Sequence, residues 1–438
     1  MDGNTPSKKV LIIAYYWPPA GGPGVQRVLK FAKYLPQYGW EPVILTVENG
    51  EYPATDSSLL EEIPDGIRVY KSKALEPYGL FKFFSGQKKD SKIDNYILKN
   101  KKPGIMSRLS KWIRFNVFIP DARLGWVPFA IRTGKQILEE ENIDVIFSTS
   151  PPHSLQLTAR RLARLSGKPW VADFRDPWST IVYYQDESRW RLSRSIDSRM
   201  EKKVLRSADK VITISKAVSH DLNEIRQKND TIVIYNGYDS ADFKPVTRGG
   251  RSEKTIITYA GFLSDTRIPN ILLQVLSEDS DQSFGPIELH IYGNTSPGFE
   301  EVIRQKKLEH RVVHHGYVNH SDLVRNLSLS DALLMVVDNV SDNKGILTGK
   351  LFDYMGTHRP IIAVGPVDGE VEDIIDETST GWYISYENEE GMKNCLRELI
   401  SQDYDFQFNT ENFDRKNLTR SLAGVLDDLA GVREGQRP

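Results

Sequence analysis

The chain has 438 residues, of which 39% are hydrophobic and 26% are charged. This composition is typical of a globular protein and excludes disordered and fibrous classes, and the length predicts two domains rather than one core. The net charge of -2 excludes a surface built throughout for nucleic acid, and the single cysteine, Cys395, excludes an internal disulfide.

The first half of the chain begins with a βαβ unit. An apolar strand at 10–16 ends at two prolines, a loop with Gly21 and Gly22 follows, and apolar residues at helical spacing lead to a strand at 42–47. Because buried strands that alternate with helices form parallel sheets, this pattern predicts a Rossmann-like domain. The alternation returns twice more, so the predicted N-terminal domain covers 1–225.

Membrane association is predicted to be peripheral at most. The run at 10–16 is too short for a signal peptide, and no run of about 18 apolar residues occurs, so the chain is expected to be cytoplasmic or at the inner face of a membrane. Residues 82–114 form a basic insertion with ten Lys or Arg against two Asp and with interleaved apolar residues such as Trp112. This composition favours contact with an anionic membrane, and it is also typical of a solvated basic face.

The βα alternation begins afresh in the second half of the chain. A polar segment from 226 to about 254 separates the two sets of units and indicates a linker and the first turn of a second domain. The predicted C-terminal domain covers 226–410, and the helix predicted in 411–438 is expected to pack back on the first domain.

The first domain offers two groups of candidate site residues. The loop with Gly21 and Gly22 lets a ligand approach the backbone at a helix N-terminus, where an anion is favoured, although the neighbouring prolines also fit a simple sharp turn. His153 and Asp173 follow predicted strand ends and are expected to line a cleft. The alternatives are a structural role at a helix N-terminus for His153 and an ion pair with Arg175 for Asp173.

The second domain offers candidates for binding phosphates and hydroxyls. Gly261 follows a strand, and the guanidinium of Arg267, six residues later, could pair with a diphosphate. Lys350 could meet a phosphate and Asp353 could accept hydrogen bonds from vicinal hydroxyls, although both also fit a solvated helix face. The loop just before them is rich in turn formers, and three of its amides could face a ligand: Gly345, Ile346 and Leu347.

No metal site is predicted. The D-x-D sequence at 279–281 lies in a polar loop without supporting ligands. His314 and His315 are adjacent in a predicted strand, so their side chains point to opposite faces and cannot bind one ion together.

Eight segments, in this order, resemble the retaining GT-B-fold glycosyltransferases of family 4: "GGPGVQR", "STSPPHS", "ADFRDPW", "VIYNGYD", "YAGFLSDTR", "LHIYGN", "HHGYV" and "GKLFDYMGTHRPIIAVGP". The resemblance spans nearly the whole chain. It implies an α/β fold of two Rossmann-like domains that face each other across an interdomain cleft. It also implies a nucleotide-sugar donor bound mainly by the C-terminal domain and an acceptor held mainly by the N-terminal one.

The resemblance assigns roles to individual residues. Asp353 matches the second acid of the family's E-x7-E element and would hold the ribose hydroxyls, and Arg267 matches the Lys of its G-R-L-x-x-x-K element and would contact the diphosphate. Gly22 would lie under the diphosphate or sugar, and the backbone around Tyr317 would meet the base.

Two departures from the family pattern bear on the donor site. Gly345 stands where the first acid of E-x7-E is expected, and Phe262 stands where the Arg of the G-R-L element is expected. Asp342 or the loop amides could replace the acid, and Lys350 could replace the lost positive charge.

The resemblance therefore implies a metal-independent, retaining enzyme of the hexosyltransferase type without a cofactor. Its donor would be UDP- or GDP-linked, its acceptor would be a glycan or a lipid-linked intermediate of surface polysaccharide biosynthesis, and nucleic acid would not be a partner. Catalysis would rest on positioning and electrostatics, with four candidate residues: His153, Asp173, Arg267 and Lys350. Two alternatives remain open, a nucleotide-sugar 2-epimerase and a non-catalytic nucleotide- or sugar-binding protein.

Overall fold

The structure is a computed structural model that describes residues 8–52, 54–75, 112–179, 189–243, 254–279 and 283–434. The chain divides into two compact units, the first made of 1–214, 218–235 and 418–438 and the second of 215–217 and 236–417. The predicted basic insertion lies outside the described residues up to position 111, as does Asp281 of the D-x-D sequence.

The first unit contains a seven-stranded parallel sheet in the order β3-β2-β1-β4-β5-β6-β7. Parallel strands are covered on both faces, which is why β4 and β5 are buried throughout and β1 is buried from Val10 to Ile13. The strands are β1 (Lys8–Ile13), β2 (Trp40–Val47), β3 (Arg68–Ser72), β4 (Val145–Ser150), β5 (Trp170–Phe174), β6 (Lys210–Thr213) and β7 (Ile232–Val233).

Helices and two apolar clusters cover this sheet. The last helix brings Leu418, Leu422 and Leu426 into the same buried cluster as Val10 and Ile12 of β1. The helices that contribute to the first unit are α1 (Pro23–Tyr34), α2 (Val127–Glu140), α3 (Ser154–Ser166), α4 (Arg191–Ser207), α5 (Lys216–Arg226) and α12 (Arg415–Glu434).

The chain leaves the first unit later than the sequence pattern indicates. The predicted boundary at 225 falls before β7, which pairs with β6 through Ile212 and Ile232 and so belongs to the first sheet. The crossing therefore follows residue 235. The strand was missed because it has only two residues, both of them only partly buried.

The second unit contains a six-stranded parallel sheet in the order β10-β9-β8-β11-β12-β13. Its strands are β8 (Thr255–Ala260), β9 (Ile287–Tyr292), β10 (Val312–Gly316), β11 (Ala332–Val336), β12 (Ile361–Gly365) and β13 (Gly381–Ser385). Its helices are α6 (Asn270–Glu278), α7 (Pro297–Gln305), α8 (His320–Leu329), α9 (Gly349–Gly356), α10 (Glu370–Thr378) and α11 (Glu389–Ser401).

Both sheets reverse their strand order beside their first strand, between β1 and β4 in the first unit and between β8 and β11 in the second. The prediction of two Rossmann-like domains is therefore confirmed. In such sheets, ligands bind at the carboxyl ends of the strands next to the reversal. Among the described helices, none is both long and apolar enough to cross a bilayer.

Candidate functional site

The glycine loop of the first unit leads directly from β1 into α1. Gly22 immediately precedes the helix with φ of 106°, a conformation that side chains rarely adopt, and a Cβ there would meet only open space. The amide of Gly21 donates to the carbonyl of Ala54 at 2.9 Å, which fixes the loop. No side chain caps the helix, so the loop presents backbone to the surface at a helix N-terminus.

Arg175 occupies the carboxyl ends of β4 and β5, beside the same helix start. Its Nε donates to the carbonyl of Ser150 at 3.2 Å and its Nη2 to the carbonyl of Pro151 at 2.9 Å. A Cβ at Gly24 would overlap Nη1 of this guanidinium, so any larger residue there would displace the Arg175 side chain. The reversal point of the first sheet thus carries a fixed cation, for which the sequence suggested only a pairing with Asp173.

Asp173 is bound in a buried ion pair with a different arginine. It lies within β5 rather than after it, and its two carboxylate oxygens accept from Arg27 Nε at 3.1 Å and Nη2 at 3.0 Å. Thr149 Oγ1 donates to it at 2.6 Å, and both members of the pair are almost completely buried. The expectation that Asp173 lines a cleft, and the alternative of a pair with Arg175, are both corrected: the carboxylate holds α1 against β5.

His153 is also buried, at the residue that precedes α3. Its ring stacks on Trp178 with centroids 5.1 Å apart and on Phe174 at 6.1 Å. Burial, aided by the nearby charge of Arg175, lowers the pKa of His153 to about 3, and the backbone of Pro177 opposes this shift only weakly. The ring is therefore neutral at physiological pH. The His153 side chain makes no hydrogen bond that caps α3, and both buried ring nitrogens are without a hydrogen-bond partner among the described residues.

The residue that caps α3 is Asp121, which the sequence pattern did not single out. Its Oδ2 accepts from the amide of Ser154 at 2.8 Å, and its Oδ1 accepts from the Ser154 hydroxyl at 2.8 Å. The amide of Arg123 donates to Oδ1 at 2.9 Å. Because the cap comes from 33 residues upstream, the usual signal of a capping residue just before the helix is absent.

In the second unit, Lys350 of α9 reaches the carboxyl end of β8. Gly261 follows the strand with φ of 102°, and a Cβ there would lie 2.8 Å from Lys350 Cε and 3.1 Å from Nζ. The ammonium donates to Tyr259 Oη at 2.6 Å and lies 4.1 Å from the centre of that ring. Burial, and then the charge of Arg267, lower the pKa of Lys350 to about 7, against an opposing effect of Asp338.

Arg267 lies at the same edge of the sheet and is held by Asp338, which follows β11. Nε and Nη2 of the guanidinium both donate to Asp338 Oδ2, at 2.9 and 2.6 Å. Thr266 Oγ1 donates to the other carboxylate oxygen at 2.6 Å. Burial raises the pKa of Tyr259 to about 12, and the nearby Arg267 opposes this. Two cations, on Lys350 and Arg267, therefore converge on one neutral phenol.

Tyr259 and Asp338 contact the two candidate cations, and sequence reasoning did not single them out. The sequence pattern predicts that a tyrosine in an apolar strand belongs to the hydrophobic core, and that Asp338 is an ordinary turn residue after a strand. The available signal was their position, because each stands at the carboxyl end of a strand that adjoins the reversal of the sheet.

The first turn of α9 leaves one side of the helix partly exposed. Leu351, Phe352 and Tyr354 are buried, whereas Lys350 and Asp353 are only partly buried. Thr348 precedes the helix without capping it through its side chain, and its buried Oγ1 has no hydrogen-bond partner among the described residues. A buried hydroxyl without a partner is costly, so Thr348 is a second candidate that the sequence did not reveal.

The loop before α9 explains one departure from the family pattern and corrects one expectation. A Cβ at Gly345 would overlap the Cβ of Ala217, which belongs to the same unit, so an acidic side chain cannot enter along that direction. The amide of Ile346 donates to the carbonyl of Asn343 at 3.1 Å and is therefore not available to a ligand. Gly345 and Leu347 remain the candidate amides of this loop.

The residue expected to meet a base, Tyr317, follows β10 and is 90% exposed. The adjacent histidines point apart, as expected: His315 stacks on Tyr292 with centroids 4.2 Å apart, and His314 faces Glu300. Within the described residues, no cluster of three or more His, Cys, Asp or Glu side chains is arranged around a common metal position. Asp279 of the D-x-D sequence is bound to Arg311 at 3.4 Å.

Models of known protein families match segments of both units. The model of Glycosyltransferase Family 4 matches residues 98–242, and the model of Glycosyl transferases group 1 matches residues 254–402. No curated protein sequence matches the chain.

Solved structures resemble the chain over nearly its whole length. A glycosyltransferase from Rickettsia africae has a TM-score of 0.61 at 15% identity, with 97% of this chain and 99% of that chain covered. HepE from Anabaena in complex with UDP has a TM-score of 0.56 at 15% identity, with 98% and 99% covered. The lipopolysaccharide outer core galactosyltransferase WaaB has a TM-score of 0.56 at 16% identity, with 96% and 99% covered.

Proposed function

Because the chain belongs to the GT-B glycosyltransferases of the family 4 type, we propose that it is a retaining, metal-independent enzyme of the hexosyltransferase type. Its donor is a nucleoside diphosphate sugar, UDP- or GDP-linked, and its acceptor is a glycan or a lipid-linked intermediate of surface polysaccharide biosynthesis. The relatives support the donor class, since HepE was solved with UDP and with UDP-glucose.

The observation that carries the proposal is the pair of cations at the carboxyl end of β8. Lys350 Nζ lies beside Gly261. The next residue in the chain, Phe262, stands where the family pattern has an arginine. Arg267 adds a guanidinium whose direction is set by Asp338. A diphosphate beside these side chains would have part of its negative charge offset without a divalent metal.

The start of α9 supplies the remaining donor contacts. Asp353 lies one turn from Lys350 on the same face and would accept hydrogen bonds from the two ribose hydroxyls. Thr348 Oγ1 would donate to a phosphate oxygen and gain the partner that it lacks. The amides of Gly345 and Leu347 would contact the sugar in place of the missing acid, and the backbone at Tyr317 would contact the base.

Catalysis in this proposal needs no nucleophile from the protein. The bond from the sugar to the diphosphate breaks first in the transition state, so negative charge grows on the leaving oxygen. Lys350 and Arg267 stabilise that charge, and the leaving phosphate takes the proton of the attacking acceptor hydroxyl on the same face of the sugar. Neither a buried His153 nor a paired Asp173 contacts substrate here: both are positioning residues of the first unit.

The acceptor is proposed to bind the first unit at the carboxyl ends of β1, β4 and β5. Arg175 and the backbone around Gly21 and Gly22 are the groups available there, and they suit an anionic or hydroxyl-rich acceptor. A lipid-linked acceptor also requires contact with a membrane, for which the basic segment 82–114 is the candidate. If replacement of Lys99, Lys101 and Lys102 by Glu left vesicle binding unchanged, that role of the segment would be abandoned.

The test is turnover of a panel of UDP- and GDP-sugars, followed by proton NMR. Release of nucleoside diphosphate with a product of unchanged anomeric configuration is the expected result, and EDTA should not reduce it. A changed sugar still attached to its nucleotide would establish the epimerase instead. Binding without turnover for every donor and acceptor would favour the non-catalytic alternative.

A further inference from the structure

Four large apolar side chains of the first unit are exposed in one region. Val117 is 56% exposed, Trp190 57%, Leu192 64% and Ile196 37%. Leu192 and Ile196 are one turn apart on α4, so they lie on the same side of the helix, and Trp190 immediately precedes it. Side chains of this size and exposure are unusual when they are grouped rather than scattered.

The chain holds these residues together through specific hydrogen bonds. The Trp190 amide donates to Asn116 Oδ1 at 2.7 Å, and Ser193 Oγ donates to the Asn116 carbonyl at 3.0 Å. The rings of Trp112 and Trp190 meet edge to face with centroids 4.7 Å apart. Two segments more than 70 residues apart in sequence therefore form one surface, to which Asn116 contributes two of the contacts.

Among the described residues, the exposed charges in the first part of α4 are positive. Between residues 191 and 200, the exposed charged side chains are Arg191, Arg194 and Arg199. The acid of the same stretch, Asp197, is fully buried, where it accepts from Arg189 at 2.6 Å and from the Trp178 indole at 2.6 Å. Both acids of α4, Asp197 and Glu201, are thus buried, and its exposed charged side chains are arginines and lysines.

We propose that this surface, formed by Val117, Trp190, Leu192, Ile196 and Arg199 with Arg191 at its flank, docks the first unit on an anionic lipid bilayer. The indole and the aliphatic side chains would enter the headgroup region, and the guanidiniums would pair with lipid phosphates. Indole rings favour the membrane interface, and arginines beside apolar side chains gain from an anionic leaflet.

Other partners fit the surface less well. Two copies of the chain paired through the same surface would bring their arginines together, which like-charge repulsion opposes. Single-stranded nucleic acid is bound by successive stacking rings, whereas Leu192 and Ile196 offer no stacking face. The inference goes beyond the proposed sugar transfer, since vesicle binding is measured without donor or acceptor.

The test is co-sedimentation of the full chain with vesicles of phosphatidylcholine alone and with about 30% phosphatidylglycerol. Two variants address the surface, Leu192→Ser/Ile196→Ser and Arg191→Glu/Arg199→Glu. The chain offers matched controls on α3, where Leu165 is 44% exposed and Arg161 and Arg164 are exposed: Leu165→Ser and Arg161→Glu/Arg164→Glu. Thermal melting verifies that every variant is folded.

We expect the wild type and both controls to bind the anionic vesicles and not the neutral ones. Each surface variant should lose at least about tenfold in its partition coefficient, because each removes either the apolar insertion or two favourable charges. Unchanged binding by both surface variants would overturn the inference, as would equal losses in the controls. A lipid-free dimer that Leu192→Ser/Ile196→Ser dissociates would show that a second copy covers the surface instead.

Discussion

The protonation of Lys350 provides a sharp test of the donor site. The ammonium is buried beside Arg267 and hydrogen-bonded to a neutral phenol, and its pKa is lowered to about 7. A bound diphosphate brings negative charge to the ammonium and must raise that pKa. Binding above neutral pH is therefore coupled to the uptake of one proton by Lys350, and Lys350→Met should abolish the coupling.

The magnitude follows from the pKa of the unliganded side chain. With a pKa near 7, the charged fraction falls from about three quarters at about pH 6.5 to about 3% at about pH 8.5. The affinity for a nucleoside diphosphate should fall roughly 25-fold over this range if the bound lysine stays charged. The phosphate titrates in the same way with both proteins, so the ratio of wild-type to Lys350→Met affinity isolates the lysine.

Calorimetric titration across this range, in buffers of different ionisation enthalpy, counts the protons taken up. The wild type should take up close to one proton more than Lys350→Met in the alkaline half of the range. An affinity ratio that does not change with pH, or equal proton uptake by the two proteins, would refute the assignment of Lys350 to the phosphate site.

The lowered pKa of Lys350 also predicts that this residue, which favours ligand binding, destabilises the folded protein. The folded pKa of Lys350 lies below the unfolded value of 10.5, so its burial penalises folding fully below about pH 7. The penalty diminishes as the pH rises toward the unfolded value. Lys350→Met should therefore raise the melting temperature most at or below neutral pH. A gain that grows with rising pH would contradict this account.

Three further changes probe the positioning of these groups. Tyr259→Phe removes the oxygen that accepts a hydrogen bond from the Lys350 ammonium, so the pKa of Lys350 should fall further. Binding of the nucleoside diphosphate should then weaken at a lower pH than in the wild type, which the same calorimetric titration measures. Thr348→Val should leave the melting temperature equal or higher but weaken nucleoside diphosphate binding about fivefold or more. The hydroxyl has no partner among the described residues, and in the proposed site it donates to a phosphate oxygen. Asp173→Ala leaves the buried Arg27 unpaired and should lower the free energy of unfolding by about 3–5 kcal/mol in urea denaturation. Replacing Arg27 by Met in that variant should recover part of the loss, and no recovery would show that the pair is not the cause.

The sheet framework could be predicted because its signal is local. Parallel strands covered on both faces leave continuous apolar runs such as those at β1 and β11, and the helices between them repeat at helical spacing. The limit of this reasoning is β7, whose two half-buried residues carry no such run. The boundary between the units was therefore placed about ten residues too early.

Candidate site residues could be named from the sequence only where a charged residue stands at an expected helix or strand end. Lys350, Arg267 and Asp353 satisfied that condition. The groups that orient them did not, because the partners are distant in sequence: Arg267 and Asp338 are 71 residues apart. Asp173 was expected to line a cleft for the same reason: its partner, Arg27 on α1, lies 146 residues away in the sequence and could not be inferred.

The central claim is that α9 and the end of β8 bind the nucleoside diphosphate of the donor. Calorimetric titration of UDP, GDP, ADP and dTDP into the wild type and Asp353→Ala tests it most directly. One nucleotide should bind selectively, and the variant should lose about thirtyfold or more in affinity, since about 2–4 kcal/mol of ribose hydrogen bonding to a carboxylate is removed. Equal binding by the two folded proteins, or no binding of any nucleotide to the wild type, would contradict the claim.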